Sequence, residues 1–119
     1  KHFNINTKIF ILNNKGYGLV KQTQETWLKS NYVGVDKKSG LSLPDFLEVS
    51  KAYKIKTIQI KSNKNIIQKL KNVLRIKGPV IIELIIDPKA RVNPKIDFGR
   101  PLHDMSPRLD KKILKSIII

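Results

Sequence analysis

A chain of 119 residues carries 24 Lys and Arg against 9 Asp and Glu, a net charge of +15, with 40% hydrophobic residues and no cysteine. That length allows one domain with a core of its own and not two, and the apolar content excludes a disordered tail. The absence of cysteine removes disulfides, thiolate nucleophiles and cysteine-based zinc sites together.

In chain order, residues 8–12 (KIFIL) are a short apolar, β-branched run that reads as a buried strand. Residues 13–18 (NNKGYG) read as a turn, because Asn and Gly tolerate unusual backbone angles. Residues 19–29 carry a weak helical pattern, and residues 30–43, with Gly34 and Gly40, read as a loop. Ser42, Pro44 and Asp45 supply a cap, an early proline and an acid in the first turn. They start a helix over residues 44–53, in which Phe46, Leu47, Val49, Ser50 and Tyr53 keep helical spacing. Residues 57–61 (TIQIK) alternate as a strand does. Residues 63–76 set Ile66, Ile67, Leu70, Val73 and Leu74 on one helical face with lysines on the other, and Gly78-Pro79 stops them. Residues 80–86 (VIIELII) are apolar on both faces, as a central parallel strand requires. Asp87-Pro88 ends that strand. Residues 88–119 hold four prolines and read as an irregular tail with a short helix over residues 110–119. Strands alternating with helices predict an α/β fold, a largely parallel sheet with flanking helices, as a single domain over residues 1–119.

The charge invites a nucleic-acid reading, but its distribution argues against a specific one. Arg, the residue suited to base readout and phosphate clamps, occurs only at 75, 91, 100 and 108, and the lysines are scattered. Trp27 and Tyr32 lack a neighbouring Arg and make a poor base-stacking pair; packing in a core or interface is the expectation. The rival function is a small basic module holding a polyanion through lysines, with steep salt dependence; an inactive remnant is a third. The longest apolar run is broken by Glu83 and is well short of the ~18 residues of a membrane span. No membrane partner and a cytoplasmic location are therefore expected. The chain opens at Lys1 rather than Met, so it is expected to be part of something longer.

Ligands of open parallel sheets gather beyond the carboxyl ends of the strands. At the end of the first strand stand two adjacent amides, Asn13 and Asn14. A strand alternates its faces, so one can point inward and the other toward a ligand. Asn offers a neutral oxygen suited to Mg²⁺, and Gly16 lets the backbone come close. On spacing alone, a simple turn accounts for the pattern as well. Glu83 interrupts an apolar strand and calls for a structural partner. His2 and His103 have no third partner at metal-binding spacing, and His103 reads as a surface residue. No Ser-His-Asp order, P-loop or Gly-x-Gly-x-x-Gly occurs, and no catalytic residue is assigned.

The run KIFILNNKGYGLVKQTQ resembles the end of the thiamine diphosphate signature of the acetolactate synthase and pyruvate decarboxylase family, which opens with Gly-Asp-Gly and closes with Asn-Asn after an apolar strand. LPDFLEVSKAYKIKTIQI resembles that family's P-D-F-x-x-x-A-x-A-Y-G-I helix and strand, and GPVIIELIIDP its G-P-x-x-I-E-x-x-V-D strand. RPLHDMSP resembles the P-L-x-x-M tail of acetolactate synthase-like members. The resemblance implies an incomplete, N-terminally truncated C-terminal thiamine diphosphate-binding domain without its Gly-Asp-Gly half. It implies Mg²⁺ bound by the Asn14 side chain and the Gly16 carbonyl. Asn13 would brace the turn and help position the diphosphate, with Gly18 and Leu19 against the diphosphate side. Gly16 would thus serve both metal and cofactor.

The parent would be a carboligase dependent on thiamine diphosphate and Mg²⁺. It would decarboxylate a 2-oxo acid, with pyruvate expected, and transfer the two-carbon unit to an acceptor carbonyl. A 2-oxo acid decarboxylase of the same family is the second reading. FAD is expected only where the parent carries the family's middle domain. The missing N-terminal domains and a second subunit, as a homodimer or tetramer, are the implied partners, and the fragment by itself is expected to be inactive. Thr23 stands where acetolactate synthases typically carry a Trp lining the substrate channel, which favours an acetolactate synthase-like homologue.

Overall fold

The computed structural model describes residues 2–3, 5–97 and 99–117. Three parallel strands, β1 (Lys8–Asn13), β2 (Lys56–Ile60) and β3 (Val80–Ile85), form one sheet in the order β1-β3-β2. The central place of β3 follows from its composition. With a neighbour on each edge its backbone is paired on both sides, and Val80 and Ile82 on one face and Glu83 on the other are buried. Helix α3 (Ile66–Arg75) supplies one cover: Val73 is buried against Ile60, Val80 and Ile82, with Ile66 and Leu70 packed alongside. Burying a side chain such as Ile82 stabilises by about 1.5–3 kcal/mol, so this cluster is the main apolar contribution.

The first strand departs from expectation. It begins and ends within a residue of the predicted bounds, but it is an edge strand, paired only with β3 among the described residues, and not a buried one. Ile9, Phe10 and Leu12 are all exposed. Apolar composition marks a strand; it does not state what covers it.

Helix α1 spans Gly18–Trp27 and α2 spans Phe46–Ala52. The cap of α2 is Asp45, not Ser42: its carboxylate accepts from the backbone N–H of Leu47 at 2.9 Å and of Glu48 at 3.0 Å. A carboxylate at this position satisfies two otherwise orphan donors and complements the helix dipole, which Ser42, four residues before Phe46, is too far back to do. The loop before α2 contains a 3₁₀ turn, Lys37–Ser39, closed by reciprocal bonds between Asp36 and Ser39. The tail is less irregular than expected. It holds a short antiparallel pair, β4 (Lys95–Ile96) with β5 (Met105–Ser106), and helix α4 (Lys111–Ile117). Residues 118 and 119 of the expected terminal helix lie outside the described residues. Among the described residues, no helix is long and apolar enough to cross a membrane.

Helix α1 buries no side chain, and polar bonds tie it to the tail. The Gln22 amide both donates to the Val92 carbonyl at 2.9 Å and accepts from its N–H at 3.0 Å. Glu25 is gripped by Arg91, whose Nε donates at 2.7 Å and whose Nη2 donates to the second oxygen, while the Tyr32 hydroxyl donates at 2.9 Å. The Arg91 hydrogen bond is the main reason the Glu25 carboxyl is drawn down from 4.5 to about 2. A depressed carboxyl stabilises the fold fully above its unfolded value and loses that effect as pH falls toward the folded one. The difference in thermal midpoint between the wild type and Glu25→Gln is therefore expected to shrink as pH is lowered from about 5 to about 2. A difference constant over that interval would remove the ion pair from any role in the seam.

Candidate functional site

The strand β1 ends at Asn13, and its alternation sends the next two side chains opposite ways. Asn13 is buried and points inward. Its Nδ2 donates to Glu83 Oε1 at 2.5 Å, and its Oδ1 accepts from the Lys15 N–H at 2.9 Å. Asn14 faces a cavity of about 220 Å³ that Gly16, Gly18, Lys21 and Asp36 also line. The Asn14 Oδ1 accepts from the Gly16 N–H at 3.2 Å, a long bond. Two successive side-chain-to-backbone bonds thus shape the turn, and Lys15 sits between them with a left-handed φ of 61°.

The two glycines are there for space. A Cβ on Gly16 would lie 2.3 Å from the Val35 carbonyl oxygen, and one on Gly18 would lie 2.4 Å from Asn14 Nδ2. Val35 is fully buried and its carbonyl already accepts from the Tyr17 N–H at 2.8 Å. The backbone of residues 16–18 is therefore pressed against the 34–36 segment on one side and against Asn14 on the other. Helix α1 starts at Gly18 with no side-chain cap and no acid in its first turn, so the positive end of its dipole is left for other charges.

The far wall of the cavity carries an ion pair. Lys21 Nζ donates to Asp36 Oδ2 at 2.7 Å and lies 4.7 Å from the centre of the Tyr32 ring. That hydrogen bond, followed by those from Ser39, holds the Asp36 carboxyl down at about 2. Asp36 is thus a charged, paired group and a poor proton carrier near neutral pH.

The donor set has a clear chemical character. Among the described residues no group of three or more His, Cys, Asp or Glu could hold a metal ion. What the turn offers is an amide oxygen and backbone oxygens, hard neutral ligands of the kind Mg²⁺ accepts when phosphate oxygens complete its shell. At both glycines the space a Cβ would take is filled by the chain's own atoms, the Val35 carbonyl oxygen and the Asn14 amide, so the glycines let the turn close on itself and bring its backbone to the cavity. Asn14 and Gly16 therefore fit one part of a Mg²⁺–diphosphate site.

The other residues singled out from sequence fall around this centre. Leu19 is exposed and lines a neighbouring hollow with Leu12, Asn14 and Gln22. Thr23 bonds back to the Leu19 carbonyl at 3.1 Å and lines a groove between α1 and the tail, opposite Met105. Trp27 lines the same groove and is 59% exposed, so it is not a core residue. His103 is exposed in the tail. Sequence reading missed Gln59, whose Nε2 donates to Glu83 Oε2 at 2.6 Å, and the Lys21–Asp36 pair. The unpartnered look of Glu83 was the one signal that pointed toward the first of these.

A family model described as the C-terminal TPP binding domain of thiamine pyrophosphate enzymes matches residues 1–84. The mitochondrial acetolactate synthase of Schizosaccharomyces pombe is 32% identical over 103 residues, which cover 87% of this chain and 15% of that protein. The mitochondrial acetolactate synthase catalytic subunit of Saccharomyces cerevisiae is 32% identical over 97 residues, with 82% and 14% covered. Chloroplastic acetolactate synthase 1 of Zea mays is 27% identical over 106 residues, with 86% and 17% covered. The chain thus spans less than a fifth of the length of these relatives.

Proposed function

This chain belongs to the family of C-terminal thiamine pyrophosphate-binding domains of thiamine pyrophosphate enzymes, and on that footing we propose that the turn after β1 is its share of a Mg²⁺–thiamine diphosphate site. The observation that supports this reading is the cavity beyond the carboxyl end of β1, lined together by Asn14, Gly16 and Gly18. Asn14 Oδ1 and the Gly16 carbonyl would hold the metal. Asn13 keeps the turn in shape, and Gly18 and Leu19 would lie along the diphosphate. Thiamine diphosphate, when bound, supplies the electron sink that lets a 2-oxo acid lose carbon dioxide. The residues of this chain bind and orient; none of them is proposed to move a proton.

The parent protein is proposed to be an acetolactate synthase-like carboligase. It would act on a 2-oxo acid, with pyruvate as the first substrate to try, and pass a two-carbon unit to an acceptor carbonyl. The names of the relatives support this class. They include mitochondrial and chloroplastic proteins, so the cytoplasmic location expected from sequence stands as a proposal, as do FAD in the parent and assembly with a second subunit. Calorimetric titration of the parent protein with thiamine diphosphate is expected to show binding with Mg²⁺ and none after chelation. Binding that ignores the chelator but collapses with added salt would replace this reading with that of a polyanion-binding surface. Product analysis with pyruvate separates the two family readings: a free aldehyde as the sole product marks a decarboxylase, and a joined product marks a carboligase.

A further inference from the structure

Glu83 is a carboxylate with 3% of its surface exposed, set in an otherwise apolar middle strand. Burying it is costly unless its oxygens are satisfied, and an aliphatic residue would pack there more simply. Its partners come from both flanking strands. Gln59 on β2 donates to one oxygen at 2.6 Å and Asn13 on β1 donates to the other at 2.5 Å. Both partners present an amide NH₂, so Glu83 acts as acceptor twice.

This arrangement selects one orientation of the Asn13 amide. With Nδ2 committed to Glu83, Oδ1 must face the other way, where it accepts the Lys15 N–H at 2.9 Å. A flipped amide would turn its NH₂ toward that N–H, donor against donor, and its oxygen toward a carboxylate. The Lys15 backbone at φ 61° is thereby held, and the next residue is Gly16. From β2 to the turn the chain of bonds runs Gln59, Glu83, Asn13, Lys15.

We propose that Glu83 and Gln59 are positioning residues that set the Asn13 amide and, through it, the aim of Asn14 and Gly16 toward the metal–diphosphate group. The inference rests on the function proposed above and adds to it two residues that line none of the cavities around the turn. The test uses the full-length protein that carries this chain, titrated with thiamine diphosphate over a series of Mg²⁺ concentrations, with thermal midpoints recorded in parallel. Glu83→Met removes both acceptors and leaves the Asn13 amide untied, and it is expected to weaken Mg²⁺-dependent affinity by about 10- to 100-fold, the range seen when groups that orient metal ligands are lost. Glu83→Gln keeps an acceptor for Asn13, because the Gln59 amide can turn its oxygen to the new NH₂, and its affinity is expected to stay near that of the parent.

A purely structural role would lower the thermal midpoint and leave the affinity of the folded protein unchanged, and that result overturns the proposal. So does a Glu83→Gln variant that folds yet binds no better than Glu83→Met. Gln59→Leu unties Glu83 from β2 without touching Asn13 and covers the case in which Glu83→Met does not fold. It is expected to weaken binding in the same sense, and unchanged affinity there overturns the proposal too. Absence of Mg²⁺-dependent binding in the parent protein overturns this inference together with the function it rests on, whereas equal binding by parent and Glu83→Met overturns this inference alone.

Discussion

Asn14→Ala is expected to lower the Mg²⁺-dependent affinity of the parent protein for thiamine diphosphate by about a hundredfold, the upper end of what disturbing a metal's immediate surroundings costs. The side chain lies at the cavity wall, where its oxygen makes only a 3.2 Å bond to the Gly16 N–H. Losing that bond costs the fold about 0.5–1.5 kcal/mol. Affinity and stability should therefore separate: the titration collapses while the thermal midpoint barely moves. Asn14→Asp is the natural companion, since a carboxylate keeps the oxygen and adds charge beside the start of α1. If Asn14→Ala binds like the parent, the amide is not a ligand and the turn is merely a turn.

Gly16→Ala is expected to do the opposite and destabilise the fold first. The added carbon would sit 2.3 Å from the Val35 carbonyl oxygen, so either residue 16 or the 34–36 backbone must move. The second has little freedom to do so. Val35 is fully buried, its N–H donates to Ser39 Oγ at 3.0 Å, and the 3₁₀ turn that follows is closed by Asp36 and Ser39. Overpacking of this kind typically costs about 1–3 kcal/mol. Urea unfolding of Gly16→Ala should show a lower midpoint by a corresponding amount. A midpoint equal to that of the parent would mean that the 16–36 contact is not part of the folded state in solution. The clash at Gly18 differs in kind, because it falls on the far end of the Asn14 side chain, which can rotate away at the expense of its place in the cavity.

These two expectations separate what the turn does for binding from what it does for folding. They also show why the Asn-Asn-Lys-Gly-Tyr-Gly run reads ambiguously by itself. Glycine is used for positive φ in many turns, and here the positive φ belongs to Lys15, while Gly16 and Gly18 are close-approach positions. The residues are the same in either case, and only the neighbours distinguish them.

The order of elements as far as β3, their periods and the central place of VIIELI were legible from sequence, because each depends on residues adjacent in the chain. So was the opposed placement of the adjacent Asn13 and Asn14 side chains, since a strand must alternate its faces. The parallel three-stranded sheet follows from the alternation of strands and helices. Other features depend on residues far apart in sequence. Glu83 meets Gln59 across 24 residues and Asn13 across 70, and Glu25 meets Arg91 across 66. No local pattern specifies which polar side chains will face one another once two strands are set in register. The exposure of β1 and the polar seam between α1 and the tail belong to the same class. Periodicity states which face of an element is apolar, and only the packed chain decides what, if anything, lies against it.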